Sequence, residues 1–114
     1  MSTRIVITLV AASVAAALLA LPAIAATPPT YKGTVGPGFT ISLAKKPTKA
    51  GKVKLTVNDK SNAHNFHLRG PGVNVTTTVP ATGTKSFTVT LKKGTYTYVC
   101  DPHASNMKGS FKIA

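Results

Sequence analysis

The sequence predicts a small antiparallel β-sandwich or barrel of about seven or eight strands. Apolar and polar residues alternate over several short segments, which is typical of strands with one buried face. Clusters of glycine, proline and lysine separate these segments, and such clusters indicate turns. Beyond the first 25 residues, no segment has the spacing of an amphipathic helix. Together these three observations predict an all-β domain.

The first 25 residues differ from this pattern. One arginine in MSTR precedes a long apolar run over residues 5–21, and small residues follow in PAIAA. This order is typical of a secretory signal peptide, and Ala23 and Ala25 fit the cleavage pattern, so cleavage is expected after Ala25. The run is nearly as long as the roughly 20 apolar residues that span a bilayer, so an uncleaved anchor is the alternative. Cleavage predicts an extracytoplasmic protein, in the periplasm, cell envelope or medium, with no membrane span.

Removal of residues 1–25 leaves 89 of the 114 residues, which is enough for one small domain. We interpret residues 26–30 as a flexible lead-in and residues 31–114 as the folded domain, expected to be monomeric. Domains of this size are often marginally stable without a disulfide or a metal. Cys100 is the only cysteine, so an internal disulfide is excluded. A bound metal is therefore a candidate stabiliser.

The alternation is clearest in four segments. FTISL (39–43), KVKLTVND (52–59), SFTVTL (86–91) and TYTYVC (95–100) place apolar residues at every second position. GSFKI supplies a further strand near the end of the chain. In FTISL the apolar face includes Phe39, for which ordinary loop or core packing is the simpler expectation. The predicted turns are GPG (36–38), KKPTKAG (45–51), RGPG (69–72), PATG (80–83) and KKG (92–94).

The charge of the chain is strongly positive. After residues 1–25 are removed, 13 basic residues remain beside two acidic ones, for a net charge of +11. Such a surface favours anionic partners, although lysines also serve simply to keep strand edges soluble and unpaired. Nucleic acid is not an expected partner, because an exported protein without a nucleic-acid motif or interleaved aromatic residues does not fit that class.

The segment YTYVCDPHASNM contains an unusual set of side chains. Cys100 ends a predicted strand, His103 lies on the loop that follows, and Met107 lies at the far end of that loop. A lone exported cysteine is by itself more often an inert thiol or an intermolecular disulfide. Here a thiolate, an imidazole and a thioether on one short loop can turn toward one point. Soft sulfur ligands with imidazole suit copper, whereas zinc needs a stronger fourth ligand than methionine.

A trigonal copper site needs a second histidine, and the segment SNAHNFHLRG offers His64 and His67. On an extended strand these two residues point to opposite faces, so both cannot easily bind one ion. His64 is the better candidate because it follows the polar turn DKSN and can reach the end of the sandwich. His67 is expected to be a surface histidine or one whose hydrogen bonds are partly satisfied. The predicted ligands are those of a blue-copper site: His64, Cys100, His103 and Met107.

At these residues the sequence resembles the type 1 copper proteins, the cupredoxins. GTYTYVCDPHASNM is similar to their copper loop, of the form G-x-Y-x-Y-x-C-x-P-H-x-x-x-M, and SNAHNF resembles the segment with their first histidine ligand. The resemblance covers residues 31–114 and is nearest to plastocyanin and pseudoazurin. It implies a Greek-key sandwich that binds one copper ion through the same four residues. It also implies that Asn65 ties the two ligand loops together, although a turn residue is an equal alternative.

The sequence departs from plastocyanin at two places. Three residues separate His103 from Met107, as in azurin, whereas plastocyanin typically has four. Val99 lies where plant plastocyanins have a tyrosine tied to an acidic docking patch, and that patch is missing. The resemblance therefore does not extend to the redox potential of plastocyanin or to its remote electron route.

The resemblance implies one-electron transfer through the exposed edge of His103. An apolar ring is expected around this edge, with candidates at Ala63, Pro102 and Ala104 and at Phe39 or Gly38. The partner is expected to be a redox protein with an acidic surface, such as a c-type cytochrome or an oxidase domain. An extracytoplasmic copper carrier that uses the same four ligands is the alternative.

Catalysis is not expected from this chain. Multicopper oxidases and copper nitrite reductases need further copper sites and several such domains. A chain of 89 residues with three histidines cannot supply them. The sequence therefore predicts an electron carrier or a copper carrier, and no enzyme.

Overall fold

The computed structural model describes residues 11–13 and 26–114. The predicted signal peptide, residues 1–25, lies outside the described residues except for residues 11–13. Within the described part of the chain, no helix is long and apolar enough to cross a membrane.

Eight strands form two four-stranded sheets in the described residues. The first sheet has the order β2-β1-β3-β6 and the second the order β5-β4-β7-β8. The all-β sandwich that the sequence predicts is thus confirmed, and the eight strands match the larger of the two predicted numbers, seven or eight. The strands are β1 (Thr30–Val35), β2 (Ile41–Leu43), β3 (Gly51–Asp59), β4 (His67–Gly70), β5 (Val73–Thr76), β6 (Gly83–Leu91), β7 (Gly94–Val99) and β8 (Lys108–Ile113).

One strand pair differs from an antiparallel arrangement. β1 pairs with β3 in parallel, with Thr30 opposite Lys54 and Val35 opposite Asp59, whereas the other pairs are antiparallel. The chain turns back from β1 into β2 at the edge and then crosses to place β3 on the other side of β1. Alternation of apolar residues reports which face of a strand is buried and carries no information on strand direction. The sequence therefore could not reveal this parallel pair.

The core occupies the space between the sheets and follows the predicted alternation. Val53, Leu55 and Val57 of β3 are buried, as are Val89 and Leu91 of β6. Each such side chain removed from water contributes roughly 1.5–3 kcal/mol to folding. Alternation in these strands is thus sufficient to identify the buried face.

Of the two expectations for Phe39, packing in a loop or in the core, packing in the core is wrong. Its side chain is 63 % exposed, while Ile41 and Leu43 on the same predicted face are half-buried. β2 begins only at Ile41, so Phe39 belongs to the preceding loop and does not follow the strand's alternation. Its position is important for the metal centre described below.

Two tyrosines of β7 fill the second sheet's side of the core. Tyr96 and Tyr98 are buried, and the ring of Tyr98 stacks on Phe66 with centroids 5.4 Å apart. Gly70 and Gly109 lie on the neighbouring strands, where an added Cβ would overlap the rings of Tyr96 and Tyr98 respectively. Glycine at these positions lets the aromatic rings lie directly over the neighbouring backbone, which fills the core of a domain without tryptophan.

The strands define two ends of the sandwich. β3 and β7 both run toward one end, where loops 36–40, 60–66 and 100–107 lie, and we call this the site end. Loop 44–50 and the turn at residues 92–93 lie at the opposite end, because Gly51 at the start of β3 pairs with Leu91 at the end of β6. Lysines are abundant in these two connections, so we call this the lysine end.

Candidate metal centre

Three predicted ligands meet at the site end. The Nδ1 atoms of His64 and His103 lie 3.1 Å apart, and each lies 3.6 Å from Cys100 Sγ. A point equidistant from the three atoms lies about 2 Å from each, which is the length of a bond between a metal and an imidazole nitrogen. The arrangement therefore fits a single ion held by two imidazoles and a thiolate. Among the described residues this is the one cluster of three or more histidine, cysteine or acidic side chains with metal-binding geometry.

The fourth predicted ligand, Met107, lies on the same loop as two of the others. Met107 is completely buried, as is Cys100. The Cys100 amide donates to the Met107 carbonyl at 3.0 Å, and the Met107 amide donates to the His103 carbonyl at 2.8 Å. These bonds close the loop on itself and bring the backbone of Met107 to that of Cys100 and His103.

The loop from Cys100 to Met107 owes its shape to a short 3₁₀ turn over Asp101–His103. Pro102 lies in the first turn, where its fixed φ is compatible with helix and its missing amide proton is not needed. The His103 amide donates to the Cys100 carbonyl at 3.0 Å, which brings both ligands to the same side. A cysteine and a histidine separated by two residues thus converge because the turn is tight.

His64 is held by a second loop that follows β3. The Lys60 amide donates to the Val35 carbonyl at 2.9 Å, and the Ser61 amide donates to Asp59 Oδ1 at 3.0 Å. The Ala63 amide then donates to Ser61 Oγ at 3.1 Å. These bonds form a tight turn in which Ser and Asp side chains replace backbone partners. The turn directs His64, which is 3 % exposed, into the sandwich.

Asn65 connects the two ligand loops. Its Oδ1 accepts the Asp101 amide at 2.7 Å, and its Nδ2 donates to Asp101 Oδ2 at 2.7 Å and to Thr76 Oγ1 at 3.0 Å. Asn65 is itself 3 % exposed. Of the two sequence interpretations, a tie between loops and a turn residue, the geometry matches the tie. Such outer bonds fix the geometry of metal ligands.

The structure places His67 apart from the three converging atoms. Its Nδ1 lies 2.9 Å from Asp101 Oδ2, and its Nε2 lies 2.6 Å from Asn74 Oδ1. The predicted reason for separating His64 from His67 needs correction, because residues 64–66 are not part of a strand and β4 begins at His67. His67 is directed to the outer face of β4 and β5, where it bridges the ligand loop to β5.

Asp101 is the centre of this outer network. Burial acts to raise the pKa of Asp101. Hydrogen bonds from Asn65 and His67 and the positive charges of His67 and Arg69 act in the opposite direction and together outweigh burial. The pKa of this carboxyl therefore lies below its ordinary value. A guanidinium nitrogen of Arg69 lies 3.4 Å from Asp101 Oδ1, which is a weak, exposed pair. The carboxylate thus receives donors from three residues around the copper loop.

Sequence reasoning did not identify the network around Asp101. A signal was present, since Asp101 is one of only two acidic residues in the chain and lies between two predicted ligands. Its partner His67 could not be assigned, because His67 meets it only through the pairing of β4 with β7. The spatial partners of the carboxylate depended on the tertiary structure.

Phe39 covers the outer side of the centre. Its ring lies 4.9 Å from the ring of His103 and 5.5 Å from that of His64, both edge to face. His103 is half-buried, whereas Ala63, Pro102 and Ala104 are exposed around it. The candidates for the apolar ring thus lie at the surface at the site end, and Phe39 contacts both histidines directly.

The donor set distinguishes between metals. One thiolate and one thioether are soft ligands, and together with imidazole they suit copper. Structural zinc sites use four strong ligands, and a methionine does not supply the fourth. The fit of the convergent atoms and the softness of the sulfur donors both favour copper.

Comparison with known proteins agrees with this chemistry. Residues 36–114 match the family of copper binding proteins described as the plastocyanin/azurin family. No curated protein matches the chain. The structure is similar to reduced rusticyanin, with a TM-score of 0.56 and 25 % identity over 75 % of this chain and 78 % of that one.

Two auracyanins share the fold at lower identity. Auracyanin from Roseiflexus castenholzii has a TM-score of 0.54 and 18 % identity, covering 75 % of this chain and 96 % of that one. Auracyanin A of Chloroflexus aurantiacus, described as a "blue" copper protein, has a TM-score of 0.53 and 18 % identity, covering 77 % of this chain and 100 % of that one. Fold, donor set and family match agree on copper as the cofactor, and the chain belongs to the plastocyanin/azurin family of copper-binding proteins, the cupredoxins.

Proposed function

We propose that His64, Cys100, His103 and Met107 bind one type 1 copper ion and that the domain carries single electrons between redox partners outside the cytoplasm. The observation that carries this proposal is the convergence of two imidazole Nδ1 atoms on a completely buried thiol. Cupredoxins are in general electron carriers, and the proposal assigns that role to this particular site.

The residues around the site support rapid electron exchange because they leave the proposed ligands little freedom to move. When bound, copper supplies a one-electron Cu(II)/Cu(I) couple. Backbone hydrogen bonds close the loop between Cys100 and Met107, and Asn65 ties that loop to the one that holds His64. A ligand set held in one geometry needs little reorganisation when its charge changes. Rigid outer contacts thus serve electron transfer directly.

The electron route that we propose passes through His103. Its ring is half-buried and contacts Phe39, which is 63 % exposed. His64 is 3 % exposed and offers no comparable edge. A partner that docks on Phe39 and the exposed Pro102 and Ala104 would therefore approach the site through His103.

Export, domain limits and partner are parts of the same proposal. Residues 1–25 act as a secretory signal, residues 26–30 as the lead-in and residues 31–114 as a monomeric copper domain. The proposed partner is a redox protein with an acidic surface, such as a c-type cytochrome. This is supported by the net charge of +11 that remains after cleavage and by Lys60 and Lys108, which are exposed at the site end.

The ligand assignment is tested by two matched histidine variants. Wild-type protein loaded with Cu(II) should be intensely blue or green and give a type 1 signal in electron paramagnetic resonance. His64→Ala should destroy this signal, whereas His67→Ala should retain it, because His67 contacts Asp101 and Asn74 and lies outside the ligand set. The reverse result would show that the wrong histidine was chosen.

The axial ligand and the electron-transfer role need separate measurements. Met107→Leu should keep the colour and raise the reduction potential, because the axial thioether tunes the potential. Fast, reversible reduction by a cytochrome, with copper retained throughout, is expected for an electron carrier. Transfer of the copper itself to a metal-free acceptor, without such reduction, would show a copper carrier instead.

A further inference from the structure

We propose that the lysine end of the sandwich binds anionic phospholipid headgroups and thereby directs the copper site away from the membrane. This orientation is a property of the charge distribution and of the point at which the chain enters the domain. It does not depend on copper binding, so it goes beyond the proposed electron transfer.

The basic residues are unevenly distributed between the two ends. Seven of the lysines lie at the lysine end, in loop 44–50, in the turn at 92–93 and at the adjoining strand ends. The two acidic residues, Asp59 and Asp101, lie at the site end. The molecule is therefore polarised along its strands. The lysines at the lysine end are all exposed: Lys45, Lys46, Lys49, Lys52, Lys92, Lys93 and Lys112.

Four of these lysines share one concave surface. A surface concavity of about 360 Å³ is lined by Lys45, Lys46, Lys49 and Lys52, together with Pro29, Tyr31 and further residues of loop 44–50 and the start of β3. Several cations around one concavity produce a stronger positive potential than the same charges spread over a convex surface. A concavity of this volume has room for the phosphate of a lipid headgroup.

The path of the chain favours a membrane over a soluble polyanion. Pro29, in the lead-in to β1, lines the concavity, and its carbonyl accepts the Lys54 amide at 2.9 Å. The chain preceding the domain therefore joins it at the lysine end. In the sequence this preceding chain contains the apolar run over residues 5–21. During export, before residues 1–25 are removed, engagement of this run with the bilayer would therefore place the lysine end beside the headgroups.

The site end is suited to remain free of the membrane and accessible to a partner. Phe39 and the edge of His103 lie there, as does Asp101. Basic side chains near an anionic membrane each strengthen binding roughly fivefold, whereas acidic ones are repelled. The polarised charge therefore favours one orientation, in which a redox partner can reach His103 from the side opposite the lipid.

Vesicle sedimentation tests the binding surface. The copper-loaded protein recovered after export is mixed with vesicles of equal parts phosphatidylcholine and phosphatidylglycerol, and with vesicles of phosphatidylcholine alone. Binding is expected to the anionic vesicles only, and to disappear at about 1 M salt, where the Debye length is about 3 Å. Equal binding to the neutral vesicles would overturn the proposal, because it would indicate insertion of an apolar segment. Binding to soluble polyphosphate but to neither vesicle would overturn it in favour of an anionic polymer.

Two quadruple variants of equal charge separate location from net charge. Changing Lys45, Lys46, Lys49 and Lys52 to Gln should weaken binding to the anionic vesicles at least about a hundredfold. Changing four lysines elsewhere to Gln, namely Lys32, Lys60, Lys85 and Lys108, should weaken it less than roughly tenfold. Equal losses would show that net charge alone matters and would overturn the proposal. The copper absorption band of each variant reports that it is folded.

Amine labelling of the wild-type protein gives an independent result. On anionic vesicles, acetylation of Lys45, Lys49 and Lys92 should slow relative to the free protein, while acetylation of Lys60 and Lys108 should continue at its free rate. Uniform protection of all five lysines, or protection of the last two alone, would contradict the proposed orientation. Because wild-type protein is used, this measurement does not depend on the folding of any variant.

Discussion

The site end and the lysine end of this sandwich are stabilised by different numbers of cross-connections. At the site end, Asn65 alone makes three side-chain hydrogen bonds that join two loops and a strand. At the lysine end, the Tyr96 hydroxyl donates to the Pro71 carbonyl at 2.9 Å and accepts the Lys92 amide at 2.8 Å. The loops that bring His64, Cys100 and His103 together are cross-linked by buried polar groups. At the lysine end, the Tyr96 hydroxyl joins only the two turns at residues 71–72 and 92–93.

The largest effect is expected from Cys100 at the site end. Cys100→Ser should abolish the intense visible absorption, because charge transfer from the thiolate to Cu(II) produces the colour. The absorption spectrum after addition of Cu(II) measures this directly. Wild-type protein that takes up copper and stays nearly colourless would refute the type 1 assignment.

Asn65 and Tyr96 allow the two ends to be compared at the level of single hydrogen-bonding side chains. Asn65→Ala should lower the free energy of unfolding by about 2–4 kcal/mol, because it removes three hydrogen bonds and leaves the part-buried Asp101 amide without its partner. It should also alter the copper spectrum, since the ligand loops are no longer tied.

The matched change at the lysine end is Tyr96→Phe. It should lower the free energy of unfolding by about 1–3 kcal/mol, because the part-buried Lys92 amide and Pro71 carbonyl lose their partner. The copper spectrum should remain unchanged. Urea unfolding and the visible spectrum together measure the difference. A spectral change in Tyr96→Phe would show that the two ends are coupled and that the comparison fails.

Phe39 should affect the rate of electron transfer far more than stability. Phe39→Ala removes a side chain that is 63 % exposed, so the free energy of unfolding should change by less than about 1 kcal/mol. The rate of electron self-exchange should fall, because the apolar contact surface over His103 is lost and water gains access to the ring. An unchanged rate would indicate that electrons enter elsewhere.

Single charge reversals should distinguish the two ends in partner docking. Lys108 is the first residue of β8 at the site end, and Lys93 lies in the turn at the lysine end. With an acidic redox partner at low salt, Lys108→Glu should slow electron transfer more than Lys93→Glu. Both differences should vanish by about 1 M salt through screening. Rates that do not respond to salt would show that docking depends on the apolar ring alone.

The smallest effect concerns the two carboxyls, whose pKa shifts are opposite. Relative to the ordinary value of 3.8, hydrogen bonds and positive charge overcome burial and lower the pKa of Asp101. Burial, the largest influence, raises the pKa of Asp59. Asp101 thus contributes stability above pH 3.8 that is lost as pH falls through its lower folded pKa. Asp59 contributes stability below pH 3.8 that is lost as pH rises through its higher folded pKa.

Urea unfolding of the copper-free protein between pH 3 and pH 7, about the span of these titrations, tests both signs. As pH falls, the free energy of unfolding of wild type should lose its advantage over that of Asp101→Asn. As pH falls, the free energy of unfolding of wild type should rise relative to that of Asp59→Asn. Parallel curves for the two variants would contradict the opposite shifts.

The sequence by itself determined the fold class, the buried faces of the clearly alternating strands β3, β6 and β7, and the donor chemistry of the loop from Cys100 to Met107. Alternation identified Val53, Leu55 and Val57 as core because every second side chain of a strand points to the same face of the sheet. The spacing of Cys100, His103 and Met107 places these three on one short loop, where local geometry brings them together. Such short-range features depend on residues near one another in the chain, so they can be read directly from it.

Only the tertiary structure decided which distant residues meet. The parallel pairing of β1 with β3, the exposure of Phe39 over two histidines and the bridge from His67 to Asp101 all join segments separated by many residues. The same holds for the separation of charge, because lysines from two connections come together only when β3 and β6 pair. Pairing partners and the ends of strands are set by the packing of the whole chain, and no local pattern encodes them.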